Sequence, residues 1–394
     1  MTNDSVPRMT ILHLISLRGM GGRAATAVRQ ARLLAARGHR VLIGCLPDTW
    51  AERRARELNL TVFPDFKFRR GFRLMDYASD CRKLARRCNE HQVDVVHAHV
   101  SQESWVACLG SRLARRKPVV IRSRGVVVPI KPHAFNRYLH NKLTAKVVTP
   151  SRVIYDRLCA LPGFNPEKVI CIPDGVDVER FSPDLDGAAI RAEFNIPADA
   201  PLAVMVARLE RVKGHEVFFG AIAKLVKDGS VPGLRALCAC DERTPGAFDA
   251  TVARAKELGI ETPLIQFTGM RNDVEKIYAA ADVIALPSLG SEGSSRVGLE
   301  AAAAGRPVVG STVGCLPEVI QDGKTGAIVP PGDPAALAAA LAPLLNDRVR
   351  SRALGLAARR RAEEFYDERQ MIEKLEAVYT EALNTAGHGV SPRA

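Results

Sequence analysis

Two carboxylates near the start of a helix form the segment with the clearest chemistry. Glu292 and Glu300 lie in 287–301, where a strand-like run is followed by small residues and then by a helix beginning near Ser295 or Arg296. The amides of a first helical turn have no partner within the helix and form an anion site. Carboxylates beside them are suited to accepting hydrogen bonds from sugar hydroxyls. A pair of acids that only stabilises the helix terminus is the alternative.

Cations for such a site are found in a second segment. Arg208 and Lys213 follow the first apolar run of the second half of the chain, and parallel sheets bind ligands at this end of their strands. A helix terminus offers about half an elementary charge, whereas a diphosphate carries roughly two to three negative charges. The amides alone cannot balance that charge, so we expect both side chains to contribute. A solvated loop is the alternative.

Apolar runs alternate with helical stretches throughout the chain, and parallel strands require such crossovers. In the first half the strand-like runs are 11–17, 41–46, 93–97, 119–122, 146–149 and 169–172. In the second half they are 202–207, 234–240, 264–267, 283–286 and 307–310. The predicted fold is therefore α/β, with two Rossmann-like doubly wound domains facing a cleft. We expect these domains at 1–183 and 184–366, with a helix in 367–394 that packs back on the first domain.

Composition narrows the class of protein. Of 394 residues, 47% are hydrophobic and 25% are charged, as in a folded globular chain. No run approaches the roughly 18 apolar residues of a membrane span, and the polar start, 1–8, shows no secretory signal. Nine cysteines without framework spacing suit free thiols in a reducing cytoplasm. We therefore expect a cytoplasmic protein.

The positive charge is concentrated in the first half of the chain. Residues 1–183 carry 32 Lys and Arg against 15 Asp and Glu, a net +17, whereas the remainder carries −4. Such asymmetry predicts an anionic partner: a membrane surface, a phosphorylated acceptor or a nucleic acid. Because the chain has no RNA-recognition motif, zinc finger or aromatic stacking platform, the third is disfavoured.

One basic segment suggests how a membrane would be bound. Residues 66–73 (FKFRRGFR) interleave three phenylalanines with Lys67, Arg69, Arg70 and Arg73. Each cation near an anionic leaflet contributes about 1 kcal/mol, so four of them with partly inserted rings predict reversible docking on the inner face of the cytoplasmic membrane. Phenylalanines that belong to the core, beside a solvated basic face, are the alternative.

Taken together, these motifs resemble the retaining glycosyltransferases of family 4, which have two Rossmann-like domains in the GT-B arrangement. The strongest match is the Glu-x7-Glu pattern of Glu292 and Glu300, which continues into 301–309 (AAAAGRPVV). Arg208 and Lys213 fit the same family. The other matching segments are 38–41 (GHRV), 172–177 (IPDGVD), 314–318 (GCLPE), 322–326 (DGKTG) and 330–333 (PPGD).

The resemblance implies a role for each matching residue. Arg208 and Lys213 would hold the diphosphate of a nucleotide-sugar donor and stabilise it as the leaving group, work that a metal does in other glycosyltransferases. The resemblance thus implies no metal and no bound cofactor. Glu292 would contact the donor sugar. Glu300 would bind the ribose hydroxyls. The remaining residues implied in substrate binding are Gly21 and Gly22 near the donor phosphate, Gly293, Ser294, Ser295, Arg296 and Val297 along the sugar and phosphates, and Met270 and Arg271 at the base. The acceptor would be a saccharide or a lipid-linked molecule, as in lipopolysaccharide, polysaccharide or glycolipid synthesis.

The sequence departs from the family pattern in the first domain. Many members carry a His after the strand at 119–122, where this chain reads Ser123-Arg124-Gly125. His97 and His99 share one face of a neighbouring strand end and are candidates for that space, for the acceptor, or for a structural role. No third ligand at useful spacing supports a zinc site. A nucleotide-sugar epimerase of similar fold and a non-catalytic nucleotide-sugar-binding protein remain the alternative functions.

Overall fold

The alternation of apolar runs and helices produces two parallel sheets, each in its own unit. The structure, a computed structural model, describes residues 8–19, 21–69, 71, 73–127, 130–242 and 245–387. The first unit comprises Met1–Asp174 and Arg369–Ala394, and the second comprises Gly175–Glu368.

The first unit contains a seven-stranded sheet within the described residues. Its strands are β1 Thr10–Ile15, β2 Arg40–Cys45, β3 Thr61–Phe63, β4 Val95–Ala98, β5 Val119–Ser123, β6 Lys146–Thr149 and β7 Val169–Cys171. The helices are α1 Gly22–Ala36, α2 Trp50–Glu57, α3 Leu74–His91, α4 Ser101–Leu113, α5 Ala134–Tyr138, which continues into a π-helical turn, and α6 Arg152–Cys159. The strand order is β3-β2-β1-β4-β5-β6-β7, with every neighbouring pair parallel.

The second unit repeats this plan with six strands in the part that the structure describes. They are β8 Leu202–Arg208, β9 Arg235–Asp241, β10 Ile265–Thr268, β11 Val283–Leu286, β12 Val308–Ser311 and β13 Gly326–Val329. The helices are α7 Ala188–Glu193, α8 His215–Lys227, α9 Ala247–Glu257, α10 Val274–Ala280, α11 Arg296–Ala303, α12 Leu316–Val319, α13 Pro334–Asn346 and α14 Arg348–Phe365. The parallel strands run in the order β10-β9-β8-β11-β12-β13.

Both sheets reverse their strand order beside their first strand. In the first unit the reversal lies between β1 and β4, and in the second between β8 and β11. Open α/β sheets bind ligands at the carboxyl ends of the strands at such a switch point. This topology confirms the predicted pair of doubly wound α/β units and singles out the loops that follow these four strands.

The last helix, α15 Glu368–Thr385, belongs to the first unit from Arg369 onward. It buries a stripe of apolar side chains against the core that contains Ile11, Ile15 and Val95. The stripe has helical spacing and consists of Met371, Ile372, Leu375, Val378, Tyr379, Ala382 and Leu383. At its edge, the buried carboxylate of Glu376 binds His39 Nε2 at 2.5 Å and Arg37 at 2.7 Å.

The division of the chain differs from the predicted one. The first unit ends at Asp174, whereas a boundary after residue 183 was predicted from sequence. The residues that follow Asp174 pack into the core of the second unit, where Val178 and Phe181 are buried. Val176 also forms a bridge with Asp367, which extends the second unit to Glu368.

Candidate functional site

The carboxyl ends of β8 and β11 carry the predicted cations and the first predicted carboxylate. Arg208 is the last residue of β8, and Lys213 ends a 3-10 turn directly after it. β11 ends at Leu286 and leads into the loop that contains Glu292. Because β8 and β11 are neighbours in the sheet, both loops leave the same edge at the switch point.

A glycine lets the two loops pack against each other. Gly214 has a φ of +78°, and a methyl group added there would lie 2.0 Å from the carbonyl oxygen of Pro287. The amide of Leu289 also donates to the carbonyl of Val212 at 2.8 Å. Only glycine combines this conformation with so close an approach. The loop carrying Lys213 is thereby held against the loop carrying Glu292.

Lys213 and Glu292 form an ion pair across these loops. Lys213 Nζ lies 2.5 Å from Glu292 Oε1, and Ser288 Oγ donates to the same oxygen at 2.6 Å. Both charged side chains are mostly buried. Arg208 pairs with Glu210 in the same region. Each predicted phosphate-binding cation is thus held in place by a carboxylate of its own unit.

The backbone of Glu292 is fixed from the opposite side. Its carbonyl accepts a hydrogen bond from Cys315 at 3.0 Å. Gly314, with a φ of +59°, lies against that carbonyl so closely that a methyl group would come within 2.0 Å of it. The Gly314-Cys315 turn is part of the motif at 314–318, which therefore supports Glu292 through its main chain.

Glu300 is held by two donors from different helices. Arg296, one turn earlier on α11, donates from Nε to Glu300 Oε1 at 2.7 Å. Tyr278, on α10, donates to Glu300 Oε2 at 3.0 Å. Glu300 and Tyr278 are both buried. Sequence reasoning missed Tyr278, which reads as an ordinary apolar residue of a short helix.

The first turn of α11 lacks a side-chain cap. Ser295 occupies the N-cap position with a φ of +44°, and its hydroxyl makes no cap hydrogen bond. Residues 293–297, which include Gly293, Ser294 and Val297, form the turn that joins Glu292 to this helix. A helix start without a side-chain cap leaves its amides to other acceptors.

Arg271 is committed to protein carboxylates. Four of its N–H groups donate at 2.6–3.0 Å, two to Glu193 and two to Asp273. Guanidinium has five such groups, and these hydrogen bonds raise the pKa of Arg271 further above its already high value. Its neighbour Met270 is exposed. Arg271 thus braces α7 against the start of α10, and Met270 presents the free apolar surface of this turn.

In the first unit, the glycine-rich turn leads into α1. Gly21 is the N-cap residue of that helix in an extended conformation, with no side-chain cap. A methyl group added at Gly22 would meet nothing within 4 Å. The start of α1 is therefore formed by two glycines, the residues for which the resemblance implies a phosphate contact.

Strand register brings a third histidine to His97 and His99. His13 on β1 pairs with His97 on β4. Its Nδ1 lies 2.7 Å from His99 Nε2, and the two nitrogens of His97 bond Tyr379 at 2.6 Å and Ser123 at 2.8 Å. Burial lowers the pKa of all three imidazoles, that of His13 to about 3, so they are neutral.

The geometry of these three imidazoles is that of a hydrogen-bonded network. Their ligand atoms lie within 4.8 Å of one another, and neutral imidazole is the form that binds zinc. Two nitrogens on one tetrahedral zinc are about 3.3 Å apart, however, given bonds of about 2.0 Å. The 2.7 Å between His13 and His99 is a hydrogen-bond distance. His97 is wholly buried with both nitrogens occupied.

Glu103, at the start of α4, is a buried carboxylate that sequence reasoning also missed. Its Oε1 accepts from the amides of His99 and Val100 at 3.0 and 2.7 Å, and its Oε2 accepts from Ser16 Oγ at 2.5 Å. Burial raises its pKa to about 7, although these hydrogen bonds oppose the shift. The N-cap residue of α4 is Val100, so the sequence lacks the Ser/Thr-x-x-Glu signal of a helix start that would have identified Glu103.

The basic segment at 66–73 differs from its predicted form. Phe66 and Phe68 are buried in the core and stack on each other with ring centroids 5.0 Å apart, so they cannot enter a membrane. Arg70 lies outside the described residues. Lys67 pairs with Asp76 at 2.7 Å. The exposed apolar side chains are instead those of Leu74 and Met75, at the start of α3, which are 67% and 87% exposed.

Comparison with known families finds two matches that cover different halves of the chain. Residues 20–180 match the family described as Glycosyltransferase Family 4, and residues 200–347 match Glycosyl transferases group 1. Among the described residues, no helix is long and apolar enough to cross a membrane.

Two curated relatives carry the same name. The D-inositol 3-phosphate glycosyltransferase of Corynebacterium kroppenstedtii is 34% identical over 230 residues, covering 57% of this chain and 50% of that protein. The one from Kineococcus radiotolerans is 31% identical over 302 residues, covering 70% and 69%. The chain thus spans about half the length of the first of these relatives and about two thirds of the second.

Solved structures share the fold at lower identity. A glycosyltransferase from Rickettsia africae superposes with a TM-score of 0.87 at 21% identity, covering 95% of this chain and 99% of that one. The Anabaena protein HepE in complex with UDP and glucose gives 0.80 at 20% identity, covering 95% and 100%. These likenesses confirm the predicted fold class.

Proposed function

Because this chain belongs to the group 1 glycosyltransferases of family 4, we propose that it transfers a sugar from a nucleoside-diphosphate sugar to an acceptor hydroxyl, with retention of configuration. The observation that carries this proposal is the convergence of Arg208, Lys213 and Glu292 at the switch point of the second sheet. Two cations and a carboxylate at one sheet edge suit a ligand that joins a diphosphate to a sugar.

The two cations neutralise the departing nucleotide. Arg208 is paired with Glu210, and Lys213 is paired with Glu292. A diphosphate with roughly two to three negative charges competes with these carboxylates for the two cations. The helix start adds roughly half a positive charge. As Lys213 turns to the phosphate, Glu292 becomes available to the donor sugar. Stabilising the leaving group in this way does the work of a metal ion, so we expect transfer to continue in chelator.

Other predicted contacts complete the donor site. Glu300 binds the ribose hydroxyls, and the amides of 293–297 lie along the sugar and the phosphates, supported by the uncapped start of α11. Gly21 and Gly22 remain the residues proposed to contact a phosphate of the donor. Because His97 is buried, it influences the substrate through its hydrogen bond to the Ser123 hydroxyl and not by direct contact. At the base we favour Met270 over Arg271, because four of the five N–H groups of Arg271 are occupied.

Transfer then proceeds on one face of the sugar. The acceptor oxygen bonds to the anomeric carbon from the side on which the bond to the nucleotide phosphate breaks, and its proton passes to the departing phosphate oxygen. Attack from this side preserves the anomeric configuration. Glu292 favours the oxocarbenium-like state through its contact with the sugar, and the two cations hold the leaving diphosphate.

The acceptor is a phosphorylated or lipid-linked molecule of the cell envelope. The net charge of +17 on residues 1–183 favours an anionic acceptor, and relatives named for D-inositol 3-phosphate suggest a phosphate on a polyol. We place the protein in the cytoplasm, docked on the inner face of the membrane by Arg69, Arg73, Leu74 and Met75. Basic side chains next to exposed apolar ones suit an anionic leaflet.

The donor is tested first. We expect UDP-glucose or another nucleotide sugar to bind in calorimetric titrations with chelator present, and binding to be lost in Arg208→Ala. UDP and glucose in the structure of HepE, which has a similar fold, make uracil the first base to try. Interconversion of the free donor without an acceptor would instead support an epimerase, and no response to any nucleotide sugar would support a non-catalytic role.

Membrane docking is tested by co-sedimentation with vesicles of phosphatidylcholine and phosphatidylglycerol. Replacing Leu74 and Met75 with Ser should weaken binding about tenfold while donor binding is kept. Val349→Ser is the matched control, because Val349 is 82% exposed beside Arg348 and Arg350 but lies in the second unit. Equal sedimentation of all three proteins would rule out docking by this segment.

A further inference from the structure

We infer that Tyr278 is a positioning residue that makes the donor site selective for ribonucleotides over 2′-deoxyribonucleotides, by orienting Glu300 from within the core. The inference rests on the proposed function, in which Glu300 binds the ribose. Tyr278 does not itself face the ligand. It donates its hydroxyl to Glu300 Oε2 at 3.0 Å, and this bond fixes how the carboxylate is presented.

Tyr278 is held rigidly. It is fully buried in the same core cluster as Phe181 and Leu299, and its ring meets that of Phe181 edge to face with centroids 5.8 Å apart. A buried aromatic ring packed in this way has one orientation. Burial and the neighbouring Glu300 both raise the pKa of Tyr278 well above 10, so its hydroxyl stays protonated and remains a donor at every working pH.

The two protein donors divide the Glu300 carboxylate evenly. Oε2 accepts from Tyr278, and Oε1 accepts from Arg296. An ionised carboxylate has about four acceptor positions, two on each oxygen, so each oxygen keeps one position for a ligand. Two acceptors side by side, both held in orientation, match the neighbouring 2′ and 3′ hydroxyls of ribose. A 2′-deoxyribose fills only one of them.

Of the two donors, Tyr278 is the one whose position is fixed. The side chain of Arg296 is 32% exposed, so water competes for its ion pair with Glu300. The Tyr278 hydroxyl donates to Glu300 from within the core, away from water. Without the Tyr278 hydroxyl, Oε2 loses the side-chain donor that the structure shows for it. The carboxylate then turns more freely about χ3, whose distribution is broad for Glu. The carboxylate can then no longer accept from the 2′ and 3′ hydroxyls together, whereas one hydrogen bond to the ribose is kept.

The test compares ribose with deoxyribose in matched variants. Calorimetry with UDP, GDP and ADP, each beside its 2′-deoxy counterpart, gives the ratio of the two Kd values for the base that binds. We expect the wild-type protein to prefer the ribonucleotide by about tenfold or more, since a hydrogen bond to a charged group is at stake. Tyr278→Phe should reduce that preference about fivefold, mainly through weaker ribonucleotide binding.

Tyr366→Phe is the matched control. Tyr366 belongs to the same core cluster, and its hydroxyl donates to the carbonyl of Glu318 at 2.9 Å. It should show a similar loss of thermal stability with the ribose preference unchanged. A merely structural role for Tyr278 would make both variants behave alike.

A double-mutant cycle shows whether Tyr278 acts through Glu300. Adding Tyr278→Phe to Glu300→Ala should leave the preference of Glu300→Ala unchanged. A ribose preference that Tyr278→Phe does not alter, or that it alters equally without Glu300, would overturn the inference and leave the proposed donor site standing. Failure of the wild-type protein to bind any nucleoside diphosphate would overturn both.

Discussion

Lys213 Nζ lies 2.5 Å from Glu292 Oε1, an ion pair between two loops that follow neighbouring strands of the second sheet. Ser288 donates to the same carboxylate oxygen, and Gly214 and Gly314 allow the close backbone approaches that bring the loops together. The backbone that carries Lys213 is thereby held in place before any phosphate reaches it, so that only the side chain has to turn from Glu292 when the phosphate binds.

Removing either cation should abolish most of the activity. We expect Arg208→Ala and Lys213→Ala to lower turnover by roughly 10²- to 10³-fold, the range for loss of one group that stabilises a developing charge. Arg211→Ala is the control, because Arg211 lies exposed in the same 3-10 turn. Steady-state rates and circular dichroism would be measured together; near-normal turnover in both cation variants would remove these residues from the mechanism.

Gly214→Ala should damage the site more than its backbone conformation alone explains. Gly214 and Gly229 both have positive φ, +78° and +61°, so alanine is strained at either position. Only at Gly214 would the added methyl group meet a backbone oxygen, that of Pro287 at 2.0 Å. We expect Gly229→Ala to cost about 1 kcal/mol and keep donor binding, and Gly214→Ala to lose it. Equal donor affinity in the two variants would show that loop contact is not required.

The attachment of α15 should depend on one of two nearby acids. Glu376 is buried and binds both His39 and Arg37, whereas Glu373 is 57% exposed and meets Arg37 alone at 3.3 Å. Glu376→Ala leaves the buried His39 without its carboxylate partner and should cost about 3 kcal/mol, against less than about 0.5 kcal/mol for Glu373→Ala. Tryptophan fluorescence in urea measures this, since Trp50 and Trp105 both lie in the first unit. Similar costs for both variants would contradict the assigned attachment.

Glu103 should make the first unit less stable as pH rises. Its pKa is about 7 in the folded protein against an ordinary 4.5, so between these values the folded state binds a proton that the unfolded state does not. Stability is therefore lost as pH rises through this window, by on the order of 3 kcal/mol in total. Glu103→Gln should remove this dependence, seen as the difference between the two proteins in urea unfolding from pH 4.5 to 8. If stability changed with pH in the same way in both proteins, the raised pKa of Glu103 would be refuted.

His13 should have the opposite effect at lower pH. Burial depresses its pKa to about 3 from 6.5, so below 6.5 the unfolded state takes up a proton that the folded state refuses. The free energy of unfolding is unaffected by His13 above pH 6.5 and falls by about 1.4 kcal/mol per pH unit below it. Between pH 7 and 5, wild-type protein should lose about 2 kcal/mol more stability than His13→Phe. The same loss in both proteins would assign the acid sensitivity to other groups.

Most of the fold follows from local patterns in the sequence. Eleven strand-like runs predicted from apolar periodicity correspond to observed strands, because strands buried on both faces read as continuous apolar segments. The strands without a prediction, Thr61–Phe63 and Gly326–Val329, are the edge strands β3 and β13. The other two edge strands, β7 and β10, were predicted from their apolar runs, so an edge position weakens the apolar signal without removing it. The Glu-x7-Glu spacing likewise lies within one loop and one helix.

Only the tertiary structure decided which distant side chains meet. Tyr278 reaches Glu300 because α10 packs beside α11, and His13 joins His97 because β1 and β4 are neighbours in one register. Phe66 and Phe68 face the core although the basic pattern around them predicts a surface. Residue type and spacing along one element report which chemistry is available. The pairing of groups from separate elements depends on strand order and packing, which are set by the whole core and leave no mark in a local segment.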